Sequence, residues 1–243
     1  MRNVRGVVLL ALTALAGTAG GCGLVQLITG TKPAQAPVVP ERRGIITRAN
    51  VPLTLLGPQL EVGDKAPDFS LLRTDMSDAR PDDFAGKTLL LVTVPSLDTK
   101  VCDIEARRFN EEAAALRGVS VLVVSMDLPF AQARWCGAHG IKNLATLSDY
   151  RTHTFGRMYG VLIKEMQLLA RTIFVIGPDG RIRYIQIVRD ISNEPDYAAA
   201  LKAARAASGD RSPPRVAAPE PPPAAPAPPR VAAPEGPPAA PAP

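Results

Sequence analysis

The sequence predicts a domain of the α/β class, built on a central β-sheet. Residues 89–94 (LLLVTV) and 119–125 (VSVLVVS) are almost entirely apolar, as expected for strands that are covered on both faces. Between these two runs, apolar residues recur at helical spacing over residues 101–116. Short strands that alternate with amphipathic helices are typical of a sheet with helices packed against it.

The first half of the domain is expected to contain a β-hairpin and a strand–helix–strand unit. Residues 46–60 hold two short apolar runs, split at Asn50 and ended by Gly57-Pro58, which indicates an additional N-terminal hairpin. The two longer apolar strands and the helix between them form a βαβ unit, which is normally right-handed.

The second half is expected to end in a hairpin and a helix. Residues 171–176 and 181–188 flank the turn sequence GPDG at residues 177–180, which predicts an antiparallel hairpin at one end of the sheet. Residues 194–207 then predict a closing helix. The resulting order, strand, helix, strand, then helix, hairpin and helix, is that of a thioredoxin-like fold with an N-terminal hairpin extension.

We expect the folded domain over residues 44–208, after an export signal and a tether. Residues 1–21 carry Arg2 and Arg5 near their start and end in small residues. An apolar run lies between at residues 7–15, and this pattern is typical of a signal peptide. The run is shorter than the roughly 18 to 20 residues that a helix needs to span a bilayer, so a permanent transmembrane helix is the weaker interpretation.

Cys22 follows the small residues directly, and this arrangement resembles a bacterial lipobox, in which the cysteine is diacylated and becomes the new N-terminus. Ala19 stands where leucine is more usual, and residues 16–19 (AGTA) also fit ordinary cleavage. We favour a lipoprotein whose acyl chains anchor it to a membrane, exported to the periplasmic side of a bacterial cell envelope. The alternative is a soluble exported protein with a free thiol at Cys22.

Both ends of the chain beyond the domain have low complexity. Residues 22–43 are rich in small residues and proline, which predicts a flexible tether. Within the tail at residues 209–243, residues 213–227 (PPRVAAPEPPPAAPA) recur as 228–242 (PPRVAAPEGPPAAPA). A repeat this dense in proline favours extended polyproline II and buries no core, so we expect it to be disordered and to act as a spacer rather than a specific partner-binding motif.

Charge and cysteine usage exclude several function classes. The net charge of +5 falls to +3 without Arg2 and Arg5, too little to indicate a nucleic-acid partner. The three cysteines, Cys22, Cys102 and Cys136, are too few and too widely spaced for a disulfide framework or a zinc knuckle. With only two histidines and no paired ligands at metal-binding spacing, we expect no metal and no cofactor.

Cys102 lies just after the first apolar strand, in the first turn of the predicted helix. Unpaired backbone N–H groups and the helix dipole stabilise an anion at this position, which favours the reactive thiolate. A buried structural cysteine is equally compatible with the position alone. The surrounding residues distinguish the two interpretations.

Residues 95–102 (PSLDTKVC) fit the pattern P-x-x-x-T-x-x-C of peroxiredoxins, and S-L-D-T-x-V-C closely resembles the version found in thiol peroxidases. Five further blocks resemble that family in the same order: residues 62–69 (VGDKAPDF), 125–132 (SMDLPFAQ), 147–151 (LSDYR), 159–163 (YGVLI) and 193–197 (NEPDY). The resemblance covers residues 46–206. It implies an atypical two-cysteine peroxiredoxin with the peroxiredoxin variant of the thioredoxin-like fold, acting on hydrogen peroxide and organic hydroperoxides.

The resemblance also implies a role for each motif residue. Cys102 would be the peroxidatic cysteine, and Thr99 would hydrogen-bond the incoming peroxide and the thiolate. Pro95 would shield the site. Arg171 matches the family's active-site arginine, which would hold the thiolate and polarise the O–O bond, since a guanidinium keeps its charge and offers several fixed donors. Without the resemblance, the position of Arg171 at a strand start indicates an ordinary surface charge.

Attack on peroxide converts Cys102 to a sulfenic acid, which a thiol must capture before further oxidation inactivates it. Cys136 lies on a predicted helix opened by Pro129 and matches the family's resolving position, with Trp135 in place of the more common phenylalanine. A disulfide requires Cα atoms within about 7 Å, so two cysteines that begin separate helices are expected to meet only if both helix starts unwind. A thioredoxin-like reductant and a homodimer are also implied by the resemblance.

Two other functions remain as alternatives. A membrane-tethered thioredoxin-like disulfide reductase shares the fold, but that class uses C-x-x-C, and here Thr99 occupies the first position. A non-catalytic lipoprotein that binds a partner through the proline-rich tail is disfavoured because Thr99, Cys102, Cys136 and Arg171 occur together.

The remaining polar residues are interpreted without a catalytic role. Four carboxylates are expected to be caps, turns and solvated charges rather than an acid–base pair: Asp98, Glu105, Asp127 and Asp149. His139 and His153 are expected on the surface or in loops.

Overall fold

The structure, a computed structural model, describes residues 39–209. The predicted signal peptide, Cys22 and the proline-rich repeat lie outside the described residues. The first strand begins at Glu41, so residues 41–43, which the sequence assigned to the tether, belong to the folded part instead. No helix within residues 39–209 is long and apolar enough to cross a membrane.

The described residues form ten strands and four α-helices. The strands are β1 (Glu41–Arg48), β2 (Val51–Leu56), β3 (Leu71–Leu72), β4 (Asp78–Ala79), β5 (Thr88–Thr93), β6 (Val119–Ser125), β7 (Leu144–Ser148), β8 (Leu162–Ile163), β9 (Thr172–Ile176) and β10 (Ile182–Ile187). The helices are α1 (Lys100–Ala113), α2 (Pro129–Ala138), α3 (Thr154–Met158) and α4 (Tyr197–Ser208).

The central sheet has seven strands in the order β10-β9-β5-β6-β7-β3-β4. Strands β5, β6 and β7 are parallel, whereas β9 pairs with β5 in the antiparallel direction. All six residues of β5 are buried, as the apolar run between Thr88 and Thr93 predicts for a strand covered on both faces. The predicted βαβ unit, the hairpin of β9 and β10 and the closing helix are all present, and the thioredoxin-like prediction is confirmed.

A second, three-stranded sheet contains the predicted N-terminal hairpin. Strands β1 and β2 pair in the antiparallel direction, and β8 pairs with the other edge of β2. The hairpin turns at Ala49 and Asn50, whose φ angles of 48° and 67° are both positive. Positive φ at both central residues matches the right-handed twist of the two strands, which explains the tight reversal at this point.

Two apolar clusters cover the two faces of the central sheet. The N-terminal hairpin and α3 lie on one face, and α1 and α4 lie on the other. Phe109 of α1 contacts Tyr197 of α4 there, with ring centroids 5.2 Å apart. Because β9 runs antiparallel to β5, its first residue, Thr172, pairs with Thr93, the last residue of β5. The start of β9 and the start of α1 therefore lie at the same edge of the sheet.

Candidate active site

The loop between β5 and α1 places Cys102 in the first turn of the helix. Thr99, with φ −122° and ψ 144°, is the N-cap, and Cys102 is the third helical residue and fully buried. Asp127, just after β6, fixes the loop because its carboxylate accepts hydrogen bonds from the Ser96 hydroxyl and the Leu97 backbone N–H, both at 2.7 Å. Asp127 therefore connects the loop after β6 to the loop between β5 and α1, a role that the sequence pattern did not reveal.

Arg171 lies beside Cys102 and is buried, with 1% of its surface exposed. Its Nη2 is 3.3 Å from the Cys102 sulfur. Nε and Nη2 also donate to the backbone oxygen of Ile191, at 3.1 and 3.0 Å, which holds the guanidinium plane in place. The position of Arg171 one residue before β9 brings it to the edge of the sheet where α1 begins, so this side chain is not the surface charge that its sequence position alone indicated.

Glu105 completes the arrangement and corrects a sequence-based expectation. It is fully buried rather than solvated, and its Oε2 accepts a hydrogen bond from Nη1 of Arg171. Glu105 lies three residues after Cys102, so both side chains point to the same inner face of α1. That spacing was the available signal, because it places the carboxylate on the face that packs against the sheet.

The charges of this buried pair depend on each other. Burial raises the pKa of Glu105 to about 7, although the attraction of Arg171 acts in the opposite direction. For Arg171, burial opposes the charged form, but Glu105 and Cys102 together outweigh it and raise the pKa. The guanidinium therefore stays charged beside the thiol, and Oε1 of Glu105 has no hydrogen-bond partner among the described residues.

Pro95 and Thr99 lie in the loop that precedes Cys102. Pro95 is buried, whereas Thr99 is exposed. The Thr99 hydroxyl donates to the backbone oxygen of Ser96 at 2.9 Å rather than to the Cys102 sulfur. The expected hydrogen bond from Thr99 to the thiolate is therefore not made here, and its role toward peroxide stays a prediction.

Cys136 does not begin a helix, contrary to the expectation from the sequence. Helix α2 starts at Pro129, so Cys136 is in its last turn, two residues before the end at Ala138. The thiol is half-buried, and its sulfur is 3.4 Å from Oγ1 of Thr146 in β7. Burial raises the pKa of Cys136, with the Thr146 contact acting in the opposite direction, so the thiol form is favoured in this arrangement.

The two cysteines are both free thiols, held by different parts of the sheet. Cys102 contacts Arg171, which precedes β9, and Cys136 contacts Thr146 in β7. A bond between the two sulfurs therefore requires at least one cysteine side chain to leave its present neighbour, Arg171 or Thr146.

No group of three or more His, Cys, Asp or Glu side chains within residues 39–209 is placed to hold a metal ion.

The sequence of this chain is similar to that of a known family and of several named enzymes. The Redoxin family model matches residues 61–201. The thiol peroxidase of Halalkalibacterium halodurans is 52% identical over 162 residues, covering 67% of this chain and 98% of the relative. The thiol peroxidase of Bacillus subtilis is 48% identical over 161 residues, covering 66% of this chain and 96% of the relative.

Solved structures show the same fold. A peroxiredoxin-like protein from Aquifex aeolicus matches with a TM-score of 0.63 at 38% identity, covering 68% of this chain and 98% of that chain. A thiol peroxidase from Chromobacterium violaceum matches with a TM-score of 0.61, covering 66% of this chain and 95% of that one. At 23% identity, the second likeness concerns the fold alone.

Proposed function

This chain belongs to the Redoxin family, and we propose that it reduces hydrogen peroxide and organic hydroperoxides through Cys102. Relatives with about half of their residues identical are thiol peroxidases, so the chain is a thiol-dependent peroxidase of the peroxiredoxin type. The observation that carries the assignment of the site is the distance of 3.3 Å between Nη2 of Arg171 and the sulfur of Cys102 at a helix N-terminus.

In the first step, the Cys102 thiolate attacks the terminal oxygen of the hydroperoxide. The S–O bond forms as the O–O bond breaks, so that thiolate, ROOH and one proton yield the sulfenic acid and ROH. Nη2 of Arg171 donates to the attacking sulfur, which lies in the first turn of α1, where unpaired backbone N–H groups and the helix dipole attract negative charge. A charge-assisted donor beside the reacting sulfur also stabilises the negative charge that develops on the leaving oxygen.

In the second step, the thiol of Cys136 captures the sulfenic acid of Cys102. The disulfide forms, and the sulfenic oxygen leaves as water. A thioredoxin-like dithiol donor then reduces the disulfide and returns both thiols. We include a homodimer in the proposal on the resemblance to thiol peroxidases.

A single-turnover experiment with the full chain tests this cycle. One equivalent of peroxide should be consumed rapidly by the wild type, with a disulfide between the peptides that contain Cys102 and Cys136. The Cys136→Ser variant should consume the first equivalent within about twofold of the wild-type rate, because Arg171 and the helix start are intact. It should then stop at the sulfenic acid, and excess peroxide should convert Cys102 to the sulfinic acid.

Peptide mass spectrometry after thiol alkylation measures each of these products and separates Cys22 from the other two thiols. The proposal fails if the wild type consumes no peroxide in a rapid turnover. It also fails if the disulfide joins Cys102 to a residue other than Cys136.

We further propose that the chain is exported and anchored to a membrane through an acylated Cys22. Support comes from Arg2 and Arg5, the apolar run after them and the small residues directly before Cys22. The Cys22→Ser variant, expressed in a bacterium, should lose its incorporated fatty acid and move from the membrane fraction to the soluble fraction. Ala19→Leu, which introduces the more usual lipobox residue, serves as the control and should remain in the membrane fraction. A wild-type protein without fatty acid would contradict the anchor.

A further inference from the structure

Asp103, the residue after Cys102, joins the first turn of α1 to the last turn of α2. Its Oδ1 accepts a hydrogen bond from Nε1 of Trp135 at 3.0 Å, and Nε2 of His139 lies 3.3 Å from the same oxygen. Oδ2 instead accepts from Nε and Nη2 of Arg107, at 3.1 and 2.9 Å, within α1. The hydrogen bond between Asp103 and Trp135, called here the Asp103–Trp135 contact, thus connects the sequence neighbours of both redox cysteines.

The contact depends on the direction in which Trp135 points. Successive residues of an α-helix point about 100° apart, so Trp135 and Cys136 face different neighbours. The indole reaches α1 and packs against the apolar cluster on that face of the sheet, whereas the Cys136 sulfur faces Thr146 of β7. A rotation or unwinding of the last turn of α2 that directs Cys136 toward α1 therefore turns Trp135 away from Asp103.

We propose that Asp103 and Trp135 are positioning residues that restrain disulfide formation, because their contact has to break before Cys136 reaches Cys102. The inference rests on the proposed function and concerns the fate of the Cys102 sulfenic acid.

Two reactions compete for the sulfenic acid of Cys102. In one, the Cys136 thiol forms the S–S bond and releases water; in the other, a second hydroperoxide molecule oxidises the sulfenic acid to sulfinic acid and is itself reduced to the alcohol or water. The Asp103–Trp135 contact sets the ratio of the two.

Two variants remove the contact from opposite sides. Trp135→Phe keeps an aromatic ring but removes the N–H donor, and Asp103→Ala removes the acceptor. In both, disulfide formation should accelerate about three- to tenfold, the effect of losing one ordinary, partly exposed hydrogen bond in the reduced state. The peroxide concentration that converts half of Cys102 to sulfinic acid should rise by the same factor. The rate of the first reaction with peroxide should stay within about twofold of the wild type, since Arg171 is untouched.

The measurement is rapid mixing with a peroxide, quenching with a thiol-alkylating reagent and quantification of the peptides that contain Cys102 and Cys136. Arg107→Gln is the matched control, because it removes the partner of Oδ2 but leaves the bond between the helices, and it should resolve at the wild-type rate. Unchanged or slower disulfide formation in Trp135→Phe would overturn the inference, even if Asp103→Ala fails to fold. A wild type that forms no disulfide at all would instead refute the proposed function.

Discussion

We expect the Cys102→Ser variant to consume peroxide no faster than the buffer does. Serine differs from cysteine by a single atom, and its buried hydroxyl can accept the hydrogen bond that Nη2 of Arg171 now donates to the sulfur, so the fold should be retained. A hydroxyl ionises far less readily than a thiol, and neither the helix N-terminus nor Arg171 compensates for that difference. The reacting anion is therefore lost while its surroundings persist. Peroxide consumption under single-turnover conditions measures the effect.

The matched control for this prediction is Cys136→Ser, which makes the same chemical change in α2. It should retain the first, rapid reaction with one equivalent of peroxide, whereas Cys102→Ser should show none. Circular dichroism and thermal melting of both variants establish that the two remain folded. Residual rapid consumption by Cys102→Ser would show that another group attacks the peroxide.

The core strands were predictable because a strand that is buried on both faces consists mostly of apolar residues. Strand β6 has the bounds expected from its apolar run, and β5 is shifted by one residue. The turn at residues 177–180 predicted the hairpin of β9 and β10, since proline fixes φ at Pro178 and glycine permits the positive φ of 73° at Gly180. These elements depend on local patterns, which a single sequence displays.

Other features depend on partners that are distant in the sequence. Strand β3 has two residues, and one of them, Leu72, pairs with Ser148 of β7, so no local run identifies it. The early start of β1 at Glu41 follows from its pairing with Leu56 across the hairpin. The start of α2 at Pro129 was predicted correctly, but Cys136 lies seven residues later, in the last turn, and not at the helix start.

The candidate site combines both kinds of information. The motif ending at Cys102 located the start of α1, whereas Arg171 was identified only through the resemblance to a family. Its burial follows from the topology, because the antiparallel pairing of β9 with β5 brings residues far apart in the chain to one edge of the sheet. Glu105 was interpreted as solvated, since a charged residue is seldom buried without a partner, and its partner could not be seen in the sequence.

Replacing Arg171 with methionine is expected to lower the second-order rate constant for peroxide about 10²- to 10³-fold. The substitution removes a preorganised charged donor from the reacting sulfur, and the loss of one such donor typically has an effect of about this size. Arg171→Lys should give an intermediate rate, because it keeps the charge but loses the fixed fork of donors that also reaches Ile191. Arg183→Met, at an exposed position paired with Asp179, is the matched control and should react at the wild-type rate.

The stability of Arg171→Met should depend on pH because Glu105 loses its partner. Burial already raises the pKa of Glu105 to about 7, and without the attraction of Arg171 it should rise further. The unfolded chain releases this proton near pH 4.5 and the folded chain only above 7, so the free energy of unfolding should fall as the pH rises through that interval. The double variant Arg171→Met/Glu105→Leu removes the buried carboxyl. Its free energy of unfolding should therefore lack the fall with rising pH that Glu105 causes.

The double variant also separates catalysis from folding. It should remain as slow toward peroxide as Arg171→Met, because the missing donor and not a distorted fold limits the reaction. Stopped-flow kinetics combined with thermal melting between pH 4.5 and 8 measures both quantities on the same samples. A folded double variant that reacts within about threefold of the wild type would show that Arg171 contributes through its ion pair with Glu105 and not through its contact with Cys102.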